Sequence, residues 1–331
     1  MLITKTPLRI SFFGGGTDYP AWYEKHGGAV LSASIDKYSY ITCRYLPQFF
    51  EHKYLIAYSA IEKQKRREDI DHPSVRECLG FMGLTDGLEI SYTSDVPARS
   101  GLGSSSAFTV GLLNALYALL GRTVTKRQLA RDAIYVEQKL IKEHVGSQDQ
   151  VAAAFGGFNK IEFGGADSFQ VTPLPLARER LRSLQRHLML FFTGISRNAS
   201  DIAREQIKGI KRRTVNLHSL SELTAAAEKA LSAPHARLDE FGRLLHESWQ
   251  IKRAVTDKIT TPFIDGIYED ARSAGALGGK LLGAGGGGFM LFFVEPKKQA
   301  RVRTRLRKLL EVPFAFEHFG SQLIYYGPTT A

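Results

Sequence analysis

The sequence predicts an α+β protein in two domains, and three observations lead there. Strand-like and helix-like apolar patterns are both plentiful, yet they follow one another without the regular alternation that a doubly wound sheet requires. At 331 residues the chain exceeds what one core usually organises. A basic segment, Arg178 to Arg186, separates Pro173 and Pro175 from the apolar run Leu188 to Phe192. The seam is placed there, giving expected units of 1–183 and 184–331.

The elements follow in order. Residues 2–13 read as a first strand ending in Gly14-Gly15-Gly16, with Thr17-Asp18-Tyr19-Pro20 after it. Strands are expected at 29–35 and 38–45, a short helix at 73–83 and a strand at 88–93. Ala107 to Leu120 is almost wholly apolar and stops at Gly121, as a buried helix with a glycine C-cap would. Thr125-x-x-Gln128 is a capping box, and Leu129, Ala133, Val136 and Leu140 recur at helical spacing after it, with an end expected near Gly146. Short strands are expected near 158–163 and 169–174.

In the second half the strand Leu188 to Phe192 precedes long helical stretches at 200–231 and 236–252, divided by Pro234. A helix at 262–274, the cluster Gly283-Ala284-Gly285-Gly286-Gly287-Gly288, a strand at 289–294, a helix at 296–310 and a strand at 322–326 complete the reading.

Composition excludes several classes. Hydrophobic content of 44% and charged content of 23% are those of a soluble globular protein. The run Phe289 to Val294 is too short to span a bilayer, and the first residues lack a signal-peptide pattern. Cys43 and Cys78 are the only cysteines, too few for a disulfide framework or a cysteine-rich metal site, so a cytoplasmic location is expected. The net charge of +11 favours anionic partners. Basic residues are scattered, and the densest run, Glu62 to Asp69, mixes both signs and reads as a solvated face. Nucleic acid and membrane are therefore not expected partners.

The chain is organised around Pro97-Ala98-Arg99-Ser100-Gly101-Leu102-Gly103-Ser104-Ser105-Ser106-Ala107. A helix begins here, and its first turn offers unpaired N–H groups and positive dipole character to an anion. Gly101 and Gly103 admit a phosphate chain close to the backbone, while Ser104, Ser105 and Ser106 add hydroxyls for phosphate or Mg²⁺. By itself the stretch is equally a serine N-cap on a buried helix. It is neither a Walker A loop nor a protein-kinase glycine loop.

Glycine clusters also stand at 14–16 and 283–288, each beside an apolar strand. Singly each reads as a tight turn; three together favour a built site. Glu137 shares heptad-like spacing with Ala130, Ile134 and Ile141, which leaves it either on a solvated helix edge or buried with a partner such as a metal ion. Asp149, in Gly146-Ser147-Gln148-Asp149-Gln150, reads alone as an N-cap.

Together these motifs resemble the GHMP small-molecule kinases. All three family motifs occur in order, over nearly the whole chain: Pro7 to Tyr19, Pro97 to Ala107 and Lys280 to Gly288. Gly14 to Tyr19, Gly146 to Gln150 and Thr193-Gly194-Ile195-Ser196-Arg197-Asn198 look like the bacterial D-glycero-D-manno-heptose 7-phosphate kinases, with fucokinase the nearest rival. Galactokinases carry Gly-Glu-His where this chain has Gly14-Gly15-Gly16, which disfavours galactose.

The resemblance implies an ATP- and Mg²⁺-dependent sugar 1-kinase with two parts: an N-terminal ribosomal-S5-like domain containing a left-handed βαβ unit, and a ferredoxin-like C-terminal domain. It implies that Pro97 and Gly101 to Ser106 hold ATP, that Ser105 and Glu137 hold the metal, and that Asp149 and the adjacent Arg9 serve catalysis. Gly15, Gly16, Thr17, Asp18, Thr193, Gly194, Arg197, Gly285 and Gly286 fall where the acceptor is bound. Arg197 is the first candidate for a cation on a substrate phosphate, with Lys37 and Lys280 behind it. Partners are then ATP and a phosphorylated sugar, and a homodimer is compatible with the sequence. A catalytically silent module with the same fold is the alternative from another class.

Overall fold

The computed structural model describes residues 1–165, 169–195, 203–205, 207, 214–233, 237–256 and 258–327. The larger sheet has eight strands. They are β1 (Leu2–Phe13), β2 (Gly28–Tyr45), β3 (Tyr54–Ala57), β4 (Ile61–Gln64), β5 (Leu88–Ser94), β6 (Phe158–Phe163), β7 (Phe169–Pro173) and β12 (Gln322–Tyr326). Their order is β12-β1-β2-β5-β3-β4, and β6 pairs with the first half of β2 and with β7. The two strands expected at 29–35 and 38–45 are one. Leu8 faces Ile35 while Pro7 faces Tyr38, so Asp36 and Lys37 form a bulge inside a continuous β2.

The first half contributes six helices: α1 (Pro20–His26), α2 (Pro73–Phe81), α3 (Ser104–Leu119), α4 (Lys126–Tyr135), α5 (Gln148–Phe155) and α6 (Arg178–His187). α3 starts three residues before the expected Ala107, so its first turn contains all three serines. Eleven of its residues are buried, which makes it the central helix of the unit. It lies directly on β1: the Thr4 hydroxyl donates to the Gly111 carbonyl at 2.9 Å, and a Cβ on Gly111 would stand 2.7 Å from Thr6 Oγ1. α4 begins as its capping box requires, with Thr125 Oγ1 accepting the Gln128 N–H. It then widens into a π-helical turn, Val136–Leu140, well short of Gly146.

The smaller sheet contains β8 (Leu188–Phe192), β9 (Ala276–Leu281), β10 (Phe289–Val294) and β11 (Leu310–Glu311), ordered β11-β8-β10-β9 and antiparallel throughout. Helices α7 (Thr214–Ser232), α8 (Asp239–Arg253) and α9 (Pro262–Ser273) lie between β8 and β9, and α10 (Gln299–Arg305) between β10 and β11. This is the βαββαβ order of a ferredoxin-like domain. The helix expected over 296–310 is thus shorter and ends before β11. The helix start at Ser200 and the break at Pro234 lie outside the described residues.

The seam at Arg178 to Arg186 is a helix, α6. The last strand also crosses the expected division, because β12 pairs with β1 in the larger sheet. A single hydrophobic core joins the halves, running from Ile10, Phe12 and Leu113 to Phe241, Leu282 and Phe289. One expectation from charge fails here. Glu62, in the run read as a solvated face, is buried and accepts the backbone N–H groups of Asp71 and His72 at 2.6 and 3.1 Å. Ala276–Leu281, where no element was expected, is a buried strand.

Candidate active site

The site forms where β1, the loop before α3 and the start of α5 meet. Arg9 leaves β1 and joins all three. Its backbone N–H donates to the Leu102 carbonyl at 3.0 Å, and Nη1 donates to the Gly101 carbonyl at 2.7 Å. Nε and Nη2 grip both oxygens of Asp149 at 2.7 and 2.8 Å. Such a planar two-point pair fixes direction as well as charge. The Arg9 side chain is 5% exposed and that of Asp149 26% exposed, so the carboxylate is the member that faces outward. Asp149 lies in the first turn of α5, where N-terminal dipole character favours an anion; the N-cap is Ser147.

Gly103 is the left-handed N-cap of α3, with φ at 77°. A Cβ there would stand 3.3 Å from Arg9 Cγ and 3.5 Å from Asp149 Cγ. The bare glycine backbone therefore roofs the Arg9–Asp149 pair, and the first turn of α3 opens beside it. Ser105 is exposed there, whereas Ser104 and Ser106 are buried and Leu102 anchors the loop in the core. Pro97 is exposed at the loop's start. The third glycine cluster braces this loop from behind. A Cβ on Gly101 would approach the Leu282 carbonyl oxygen to 2.4 Å, and one on Gly283 would approach Gly101 Cα to 2.6 Å.

Glu137 is fully buried in the π-helical turn. Ser106 Oγ donates to its Oε2 at 2.9 Å, and Gln150 Nε2 donates to the same oxygen. Burial, reinforced by the nearby Glu143 charge, pushes its pKa up to about 7. The hydroxyl in contact with Glu137 is that of Ser106, not the Ser105 expected as its metal-binding companion. Consecutive helical positions point about 100° apart, so the two serines serve different sides of the helix. Glu137 Oε1 is buried without a hydrogen-bond partner. An orphaned carboxylate oxygen beside the N-terminal turn of α3 suits a hard cation. Among the described residues no three His, Cys, Asp or Glu side chains cluster as a metal cage. Mg²⁺ does not need one, because it usually takes one or two carboxylates together with substrate phosphates.

Asp18, expected among the acceptor contacts, is held close to the start of α5. It is buried, accepting the Gly16 N–H and Gln148 Nε2, each at 2.9 Å. Burial raises its pKa, with the Asp149 charge adding to the effect. Its backbone carbonyl accepts the Ser147 N–H at 2.9 Å. This ties Gly14 to Asp18 firmly to Gly146 to Gln150, two motifs far apart in sequence.

Other expected acceptor contacts have structural duties. Thr17 is fully buried, with Oγ1 within hydrogen-bond reach of the Gly14 and Ala29 carbonyls. Thr193 Oγ1 is joined to both backbone groups of Gly288. Gly286 donates to the Ile259 carbonyl, and Gly285 packs on Ile259, where a Cβ would come within 2.8 Å. Gly194 takes a positive φ of 77° with open space around it. Lys280 donates to the carbonyls of Ser11 and Phe12 at 2.8 and 3.0 Å inside the core, so it clamps β1 and cannot serve as a phosphate cation. Lys37 bonds Asp36 in the β2 bulge. Arg197 lies outside the described residues.

Sequence reasoning missed Lys252. This residue, on the last turn of α8, is buried, and burial lowers its pKa. Its signal was faint but present: Leu238, Phe241, Leu245 and Trp249 form an apolar stripe, and Lys252 continues it.

A glycine-walled anion cradle beside a braced carboxylate is the arrangement of a phosphotransferase. Comparison with known proteins agrees. Residues 70–157 match the GHMP kinases N terminal domain and residues 226–312 the GHMP kinases C terminal domain. The chain belongs to the GHMP kinases and is a kinase acting on a sugar hydroxyl. It is 31% identical to the D-glycero-alpha-D-manno-heptose 7-phosphate kinase of Campylobacter jejuni, over 92% of this chain and 93% of that one. It is 25% identical to the bifunctional fucokinase/GDP-fucose pyrophosphorylase of Arabidopsis thaliana, over 92% of this chain but 31% of that longer protein. Among solved structures it resembles a D-glycero-D-manno-heptose 1-phosphate kinase from Bacteroides thetaiotaomicron, with a TM-score of 0.80 at 26% identity, covering 99% of this chain and 100% of that one. No helix among the described residues is long and apolar enough to cross a membrane.

Proposed function

We propose that the protein transfers the γ-phosphoryl group of ATP to the anomeric C1 hydroxyl of D-glycero-D-manno-heptose 7-phosphate. The product is the 1,7-bisphosphate, a precursor for nucleotide-activated heptose. The observation that carries the chemistry is the Arg9–Asp149 pair directly beneath Gly103. The sugar is supported by the likeness to the Campylobacter jejuni enzyme over nearly the full length of both chains.

Phosphoryl transfer needs chiefly positioning and charge neutralisation. The Gly101 to Ser106 loop and the first turn of α3 receive the ATP phosphates. Mg²⁺ would be held by Glu137 on the Ser106 side of α3, with Ser105 as a candidate ligand from the other side, and would neutralise phosphate charge there. Asp149 accepts a hydrogen bond from the C1 hydroxyl and takes its proton as the new bond forms. Arg9 holds that carboxylate in one orientation and, with the α3 dipole, favours negative charge on the transferring group. Asp18 orients a ring hydroxyl.

A fucokinase-like 1-kinase for an unphosphorylated sugar is the second reading, supported by the likeness to the Arabidopsis thaliana protein. Coupled ADP-release assays with heptose 7-phosphate, unphosphorylated heptose, mannose, fucose and mevalonate decide between them. The proposal expects heptose 7-phosphate to have the highest kcat/KM by at least tenfold. Equal use of both heptoses sinks the 7-phosphate assignment, and ATP turnover with none of the acceptors would point to a silent module.

A further inference from the structure

Three polar side chains converge over the bare Cα of Gly15. A Cβ there would stand 3.2 Å from Lys252 Nζ and 3.7 Å from both Gln148 Nε2 and Ser11 Oγ. All three side chains are at least nine-tenths buried, yet their bonding capacity is largely unused. Ser11 Oγ and Gln148 Oε1 have no hydrogen-bond partner. Lys252 Nζ makes one long bond, 3.3 Å, to the Gly283 carbonyl. Buried polar groups are nearly always satisfied, so such a cluster marks a place that a ligand or water completes.

The chemistry of the cluster narrows the ligand. An ammonium donor and a hydroxyl that can donate or accept, beside an amide whose N–H is already given to Asp18, suit a group that both accepts and donates, which is an alcohol. The place of the cluster narrows it further. Gln148 precedes Asp149 and bonds Asp18. The charges of Asp18 and Asp149 favour the Lys252 ammonium and that of Arg9 opposes it. The cluster therefore adjoins the reacting carboxylate rather than the far end of an extended acceptor.

We infer that Lys252, Gln148 and Ser11 form a hydroxyl subsite over Gly15 that grips the acceptor's hydroxyl next to the one phosphorylated. The ammonium of Lys252 donates to this hydroxyl oxygen, and the hydroxyl's own O–H donates a hydrogen bond to Ser11 Oγ. The missing Cβ of Gly15 makes the room. The inference rests on the reading of Asp149 as the carboxylate at the reacting hydroxyl. It also assigns Lys252 to the reacting end, leaving the substrate phosphate to another cation.

The test compares the parent, Lys252→Met and Ser11→Ala with heptose 7-phosphate and its 2-deoxy analogue. Lys252→Met should raise the KM for heptose 7-phosphate at least tenfold and leave the KM for ATP within twofold. The parent should lose at least tenfold in kcat/KM on the 2-deoxy analogue, and Lys252→Met should lose less than twofold. Ser11→Ala, a milder change, should raise the acceptor KM about threefold with an unchanged melting temperature. A Lys252→Met enzyme that keeps the parent's full preference for the 2-hydroxyl overturns the inference. If that variant does not fold, an unchanged acceptor KM in Ser11→Ala overturns it instead. Should the parent prefer an unphosphorylated sugar, the 7-phosphate reading fails while the same variants, assayed with that sugar and its 2-deoxy form, still decide the subsite. A parent that phosphorylates no sugar refutes both.

Discussion

Arg9 and Asp149 meet through two parallel hydrogen bonds of 2.7 and 2.8 Å across 140 residues of sequence. Each partner has its own supports, Arg9 the Gly101 carbonyl and Asp149 the first turn of α5. Asp149→Asn keeps the shape but removes the charge and places an amide donor against a guanidinium. It should lower kcat by about 10²-fold or more while ATP affinity changes little. Single-turnover kinetics with a fluorescent nucleotide titration would measure both, and near-parental kcat would remove Asp149 from the mechanism.

Glu137 makes a prediction about pH. Its folded pKa is raised from 4.5 to about 7, so the folded protein holds this proton where the unfolded chain has lost it. The associated stability is fully present below about pH 4.5 and is lost as pH rises through about 7. Glu137→Gln should therefore melt with a smaller decline between pH 5 and 7.5 than the parent. Mg²⁺ held at Glu137 as proposed would compete with the same proton, so the parent's Mg²⁺ requirement should fall as pH rises through 7, and the Gln variant should need more Mg²⁺ throughout. Melting curves at stepped pH and Mg²⁺ titrations of activity check this, and curves that overlay the parent's would leave Glu137 a mere core residue.

The braced loop predicts a backbone effect. Gly101 and Gly283 both have positive φ, at 89° and 80°, and face each other with no room for a Cβ. Gly283→Ala should cost about 2 kcal/mol or more through strain and overpacking. Because the strain falls on the phosphate loop, the KM for ATP should rise more than that for the acceptor. Denaturant unfolding with paired KM measurements would test the claim, and an acceptor-only effect would contradict it.

Gly146 predicts the opposite selectivity. A Cβ there would fall 1.9 Å from Asp18 Oδ2, so Gly146→Ala must push the Asp18 carboxylate aside. The acceptor KM should rise about tenfold with the KM for ATP nearly constant. If instead both KM values move together, Asp18 is not an acceptor contact.

Arg197 is the remaining candidate for the substrate phosphate, since Lys280 and Lys37 are committed elsewhere. Arg197→Ala should raise the KM for heptose 7-phosphate by roughly tenfold and leave unphosphorylated heptose unaffected. Equal losses on the two sugars would count against a phosphate contact.

The start of α3 was legible in the sequence because its loop carries rare local chemistry. Gly101, Gly103 and three serines before an apolar run announce a helix terminus that admits a ligand, and α3 begins there. Arg9 and Asp149 became a pair only through family resemblance, since nothing local marks two residues so far apart as partners. What escaped did so for physical reasons. Glu62 and Lys252 look like surface charges, and only tertiary burial distinguishes them. Ala276–Leu281 carries little strand signal because Gly278 and Gly279 lack β propensity, yet close packing demands them: a Cβ on Gly278 would stand 2.0 Å from the Gly242 carbonyl oxygen. Asp36-Lys37 reads as a break because a bulge and a turn share residue preferences.

The pairing of β12 with β1 sets a condition on how the molecule is made. Leu2 lies opposite Tyr326, so the outer edge of β1 stays uncovered until the segment around Tyr326 has been made. Until then β1 offers an open edge that already carries Arg9, and a nascent chain or a stalled truncation would expose it to other strands. Such a far-flung closure is slow, because the intervening chain must be ordered before the contact forms. Competence for catalysis thus arrives late, after synthesis has passed residue 326, and a chain ending before β12 should aggregate rather than persist as a working first half.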